Sequence, residues 1–288
     1  MKTIVFILTM AIVMAGKASQ AASTYFGNAL HENSIAFSAT ADHKFAAKMK
    51  LKIRNKKKRR MIVELEPGRV FYPESKTIQP FVVARPSIIA LDPEEEKEVW
   101  VFARCGNSKA KAPNNENTFN RTEMGTPEMV ASLRMMNQMH IESMEFYQRV
   151  IWFYTNQLHI SAVHSGDTPE ADEMRLISDL CRRHSLEIPW YKKSYKPAAS
   201  GNDLEFSNIP EKLEAKIDVV LSKTTDLQIH LVDENGNVVR LLGVRNLQPS
   251  GVHSVPIAVD LQELTGTTYA VRITDGAGVL IETKSFLI

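Results

Sequence analysis

Two cysteines in 288 residues, with 13 glycines and 13 prolines, are too few for a disulfide-stapled scaffold, a collagen-like repeat or a low-complexity chain. After the first stretch of the chain, no apolar run approaches the roughly 20 residues a helix needs to span a bilayer. Signatures of catalysis are lacking too. There is no His-Glu-x-x-His, no Gly-x-Ser-x-Gly, no phosphate-binding Gly-Lys-Ser/Thr loop and no Cys-x-x-Cys. None of the eight histidines is spaced i, i+4 from another, so the sequence predicts neither a metal site nor a cofactor. An excess of one charge is missing as well. The 35 Lys and Arg face 33 Asp and Glu, and both surplus bases, Lys2 and Lys17, fall in the first 21 residues. Net charge therefore gives no reason to expect a nucleic-acid partner.

What is present begins with a leader. Residues 1–21 read as a secretory signal peptide, with Lys2 as the positive start and Ile4 to Ala15 as the apolar stretch. Ser19 and Ala21 occupy the −3 and −1 positions of a small-residue cleavage site, placing the cut after Ala21, with Ala22 as the neighbouring alternative. An uncleaved N-terminal anchor is the other reading. No cysteine follows the apolar stretch, which excludes a lipoprotein anchor. The expected location is extracytoplasmic, secreted or at the cell surface, with the periplasm as the alternative.

The rest reads as mainly β with an α-helical layer. Met49, Leu51 and Ile53 alternate with Lys50, Lys52 and Arg54, one apolar and one wet face. A turn at Asn55 to Lys58 predicts Met61–Leu65 as the returning strand of a hairpin. Further apolar runs follow at intervals of about ten residues, ending at Cys105, the pattern of an antiparallel sandwich. Residues 22–125 are thus expected to be an N-terminal immunoglobulin-like β-sandwich, with 106–125 as a polar loop. Thr126-Pro127 is a helix start, and apolar residues then recur at helical spacing through a three-helix segment, 126–188, packed on that sandwich. Residues 189–210 read as a linker. Residues 211–288 predict a C-terminal immunoglobulin-like β-sandwich, with hairpin turns at Asn235-Gly236 and Asp275-Gly276.

Three groups of residues are candidates for chemistry or binding. In an oxidising compartment Cys105 and Cys181 have one intramolecular pairing open to them, a disulfide. The run Lys56, Lys57, Lys58, Arg59 and Arg60 contains no acid and could hold a surface glycan or lipopolysaccharide. The other reading is a charged edge hairpin that resists aggregation, neutralised in part by Glu94, Glu95, Glu96 and Glu98.

The third group rests on a resemblance. A strand ending in Arg104-Cys105-Gly106, an Asn-rich loop, helices and then Tyr147-Gln148-Arg149-Val150-Ile151-Trp152 resembles the thioester domains of bacterial surface adhesins. The resemblance covers about 50 residues, and departs from the family in Gly106 after the cysteine and Arg149-Val150 after the glutamine. It implies that Cys105 and Gln148 condense into an internal thioester able to bond a host amine. Residues 211–288, in turn, resemble the sorting domains of Bacteroidota type IX secretion cargo. The resemblance rests on Asp233 and Gly236, Gly251 and His253, Gly266 with Tyr269, and Lys284 before the terminal Phe286-Leu287-Ile288. Two residues, Thr267 and Thr268, separate Gly266 from Tyr269 where the family has one. That resemblance implies an export or docking role for Gly266, Tyr269 and Lys284.

Together these features predict a non-enzymatic exported protein of the bacterial envelope or surface, acting in adhesion, envelope structure or surface-complex assembly. The alternatives are a covalent adhesin using Cys105 and Gln148 and a periplasmic ligand-binding protein. The expected partner is a protein or a surface glycan.

Overall fold

The structure is a computed structural model and describes residues 22–41, 48–164, 171–196, 207 and 209–288. The leader, with its cleavage residue Ala21, lies outside the described residues, as does Asp167-Thr168-Pro169, whose cap-then-proline order predicts the start of the third helix.

The expected mainly β fold with a helical segment is what the chain forms. Its first part comprises β1 (Ala22–Tyr25), α1 (Phe26–His31), β2 (Ile35–Ala41), β3 (Lys48–Asn55), β4 (Met61–Leu65), β5 (Arg69–Pro73), β6 (Phe81–Val83), β7 (Ser87–Leu91), β8 (Glu96–Cys105) and β9 (Thr118–Met124). Six of these close into a barrel in the order β2-β3-β8-β6-β5-β9, and β1-β4-β7 form a separate three-stranded sheet in which β1 runs parallel to β4. The inward residues Met49, Leu51, Ile53, Val63, Leu65, Val101, Ala103 and Phe119 share one apolar core.

Two expectations change here. Met61–Leu65 does not return along β3. β3 lies between β2 and β8, while β4 pairs with β1 and β7. Alternation defines which face of a strand is buried, and it is silent on the neighbour, because both strands offer equally apolar inner faces. The basic stretch 56–60 therefore crosses from the barrel to the small sheet. It is pinned by buried Asn55, whose Nδ2 donates to the carbonyls of Arg59 (2.9 Å) and Asp92 (2.8 Å). The second change is β9, which falls in the expected loop 106–125 and joins β2 to β5, so that six strands close where a sandwich was predicted. In Thr118–Met124 only Phe119 is buried, too sparse a signal to read as a strand.

The helical layer holds α2 (Pro127–Gln138), α3 (Met144–Asn156), a 3₁₀ turn (Ile160–Ala162) and α4 (Ala171–Arg183). Thr126 caps α2 as expected, its Oγ1 accepting from the Met129 N–H at 3.3 Å. Met129, Leu133, Met136, Phe146, Val150, Ile151, Leu176 and Leu180 form a second core, which also takes in Val70 and Val82 from the barrel. Gly68 is required at this contact: its φ is +85°, and a Cβ there would stand 2.6 Å from Cγ2 of Val130.

Residues 189–210, expected as a linker, contain β10 (Tyr191–Tyr195), which pairs antiparallel with β11 (Pro210–Leu221). There follow β12 (Thr225–Asp233), β13 (Val238–Gln248), β14 (Gly251–Asp260), β15 (Thr268–Asp275) and β16 (Leu280–Leu287). The sheets β10-β11-β14 and β13-β12-β15-β16 enclose a third core of Leu213, Ile217, Leu227, Leu231, Val255, Val271 and Phe286. Gly236 has the left-handed φ (+82°) its hairpin needs, but in the Asp275 turn that role falls to Gly278 (+83°) rather than Gly276. Asp275 Oδ1 accepts from the N–H groups of Ala277 and Val279, making the loop longer than a two-residue hairpin. Among the described residues, no helix is long and apolar enough to cross a membrane.

Candidate functional site at the junction of barrel and helices

Cys105 is the last residue of β8, on the inward face that also carries Val101 and Ala103. It lies opposite Phe81 of β6, and the N–H of Gly106 donates to the Pro80 carbonyl at 2.7 Å. That bond marks Cys105 and Phe81 as a non-hydrogen-bonded antiparallel pair, so the N–H and C=O of Cys105 point away from β6. On that other side the described pairing of β3 with β8 runs from Arg54 opposite Glu96 to Lys48 opposite Phe102. Backbone groups buried at the end of a strand are costly unless they are hydrogen-bonded.

Gln148 supplies both partners. The N–H of Cys105 donates to Gln148 Oε1 at 3.1 Å, and Gln148 Nε2 donates to the Cys105 carbonyl at 2.6 Å. A primary amide has the same kinds of donor and acceptor as a peptide unit, so this side chain bonds Cys105 as a residue of a neighbouring strand would. Cys105 is 6% exposed and Gln148 8%, so the contact is shielded from water.

The glutamine is held there by its helix. Ser143 caps α3, its Oγ accepting from the Phe146 N–H at 3.1 Å, and Phe146, Tyr147, Val150 and Ile151 are buried. Arg104 Nε donates to the Met144 carbonyl at 3.0 Å, tying the first turn of α3 to β8. At the far end, Asn156 Oδ1 accepts from the Ser108 N–H and its Nδ2 donates to Asn107 Oδ1, both at 3.0 Å. The loop after Cys105 is held from its other side by buried Gln79, whose Nε2 donates to the Ala110 carbonyl at 2.9 Å. Helix, strand end and loop thus form one braced unit. Gly106 belongs to it for steric reasons: a Cβ there would lie 3.1 Å from both Pro80 Cγ and Val82 Cγ2. Arg149, one residue on, points elsewhere, bonding Glu145 Oε1 and the Ala162 carbonyl (2.8 Å).

The arrangement has a chemical consequence. The Cys105 N–H on Oε1 draws electron density from the Gln148 carbonyl and would stabilise negative charge building there, as donors do in an oxyanion hole. The thiol belongs to the same residue whose backbone holds that carboxamide.

The other predicted groups are dispersed. No disulfide joins Cys105 to Cys181. The two belong to different cores, Cys105 to the barrel and Cys181 to the helical layer. The Cys181 Sγ donates to the Glu187 carbonyl at 3.5 Å, and burial pushes its pKa up, which makes it an inert thiol. Along the basic stretch and its strand, Lys50 pairs with Glu98 (2.7 Å), Lys52 with Glu96 (2.6 Å) and Arg60 with Asp92 (3.5 Å). Lys56 donates to Asn33 Oδ1 at 2.6 Å, Lys57 is half-buried, and Lys58 and Arg59 are exposed. In the C-terminal sandwich the Gly266 N–H donates to the Tyr269 hydroxyl at 2.8 Å, and Lys284 is exposed on β16.

The bracing residues Gln79, Asn107 and Asn156 were not foreseen, and nothing in their spacing marks them. Compared with known proteins, the chain matches no family model and no curated protein, so the Cys105–Gln148 contact rests on its own geometry.

Proposed function

We propose that this is an exported, non-enzymatic protein that attaches covalently to an amine-bearing surface through a thioester between Cys105 and Gln148. The observation that carries the reading is the two-point hold of Gln148 on Cys105 in a site closed to water. In forming the bond, the Cys105 thiol adds to the Gln148 carboxamide carbon, the S–H proton passes to the departing nitrogen, and ammonia leaves. An amine then attacks the thioester, forming an amide on the Gln148 acyl group and returning the proton to Cys105 sulfur. Each molecule reacts once, which makes it a stored electrophile rather than a catalyst. The leader supports delivery outside the cytoplasm, and the C-terminal sandwich is the natural sorting or docking module.

Intact mass of the mature protein tests the central step. Condensation removes one ammonia, about 17 Da, and a disulfide would remove two hydrogens, about 2 Da. Methylamine should then add to Gln148 and release one titratable thiol. An unmodified mass in freshly purified protein from its native host, together with no methylamine adduct, rules the reading out.

A further inference from the structure

A cavity of about 520 Å³ lies where the 3₁₀ turn and α4 meet strands β10 and β11. Its size falls in the range of small-molecule sites, which are mostly apolar with a few polar groups. Ile160, Val163, Met174, Ile177 and Trp190 provide the apolar wall. The mouth is charged. Lys192 stands directly opposite Glu214 across the β10–β11 pair, and Glu214 also bonds Lys212 at 2.5 Å. Lys216 lines the same cavity, and among the described residues no carboxylate pairs with it. Among the described lining residues the rim carries two lysines, Lys192 and Lys216, and one carboxylate, Glu214, beside an apolar space.

We propose that this cavity binds a single-chain amphiphilic anion, a free linear carboxylic acid whose chain lies along Ile160, Met174, Ile177 and Trp190 and whose carboxylate meets Lys216. The chemistry follows from the wall and the rim together: an apolar space alone would take any oily group, and the surplus ammonium selects a negative head. The inference does not depend on the Cys105–Gln148 chemistry.

Titration calorimetry of the mature protein with sodium dodecanoate, kept below its micelle-forming concentration, tests it. One saturable site per chain is expected, with quenching or shift of Trp190 emission, and binding of dodecyltrimethylammonium at least tenfold weaker. Lys216→Glu, on an exposed strand face, should weaken dodecanoate at least tenfold, and Met174→Trp, which fills the cavity from its partly exposed side, should do the same. The absence of a saturable site overturns the proposal, as does equal affinity for the cationic amphiphile or wild-type affinity in Lys216→Glu. Because Lys216→Glu touches no core, it remains decisive even should Met174→Trp fold poorly.

Discussion

Gln148 Nε2 sits 2.6 Å from the carbonyl oxygen of Cys105 while Oε1 of the same amide accepts from the Cys105 N–H, so a single side chain completes both backbone bonds of the residue that ends β8. Reactive and structural roles can be separated by substitution. Gln148→Ala removes two buried hydrogen bonds to the backbone of Cys105 and should cost about 1–3 kcal/mol in unfolding free energy relative to the uncondensed protein. Relative to the uncondensed protein, Cys105→Ala keeps those bonds and loses only a small apolar group, about 1 kcal/mol. Both should abolish methylamine incorporation. Urea denaturation of the two variants makes the comparison, and equal stability would mean the amide contributes nothing to the strand end.

Closure of the barrel depends on one aromatic. Phe119 is the sole buried residue of β9, and its ring lies 5.1 Å from that of Phe81. Phe119→Ala should cost about 3–5 kcal/mol, at the upper end for a core truncation. Thermal melting followed by near-ultraviolet circular dichroism would register it, and a loss under about 1 kcal/mol would show that β9 is dispensable.

The 3₁₀ turn packs a histidine against β10. His159 stacks on Tyr191 at 6.2 Å, its Nδ1 lies 2.7 Å from Ser161 Oγ, and burial, followed by the charge of Lys193, pulls its pKa down to about 4. The unfolded chain, with an ordinary histidine pKa near 6.5, binds more protons between those values. Stability should therefore rise with pH from about 4 to 6.5, and His159→Gln should flatten that part of the curve. Urea midpoints measured across the interval decide; an identical slope in the variant would remove His159 as the source.

Glu66 and Arg69 form an ion pair buried on both sides, with Nη2 to Oε1 at 2.9 Å and the guanidinium 5.8 Å from the Phe26 ring. Removing one partner strands the other charge. Glu66→Ala should cost about 3–5 kcal/mol, while the double change Glu66→Leu/Arg69→Met should recover most of it. A double variant as unstable as the single one would point to packing rather than charge.

How far the chain could be read without coordinates varies element by element. β3 was plain because Met49, Leu51 and Ile53 alternate strictly with cations, and α2 because Thr126 and Pro127 announce it. β9 was hidden, since Thr118–Met124 buries a single side chain, and β10 because Lys192, Lys193 and Ser194 read as connection. Strand neighbours are a property of the whole assembly: nothing local distinguishes a β4 that returns along β3 from one that joins β1 and β7. Cys105 and Gln148 could be singled out only through the short motifs around them. Their meeting depends on the end of β8 lying against the first turns of α3, a tertiary contact that no motif encodes.

The approach to β10 and the far end of β16, the first and final strands of the C-terminal sandwich, are neighbours. The Trp190 indole donates to the Ser285 carbonyl at 2.7 Å, and the Tyr191 and Phe286 rings are 5.9 Å apart. A sandwich whose two ends meet in this way behaves like a cassette: it could be spliced into a tight surface turn of an unrelated host with scarcely any spacer, and swapped between parent proteins without altering their paths.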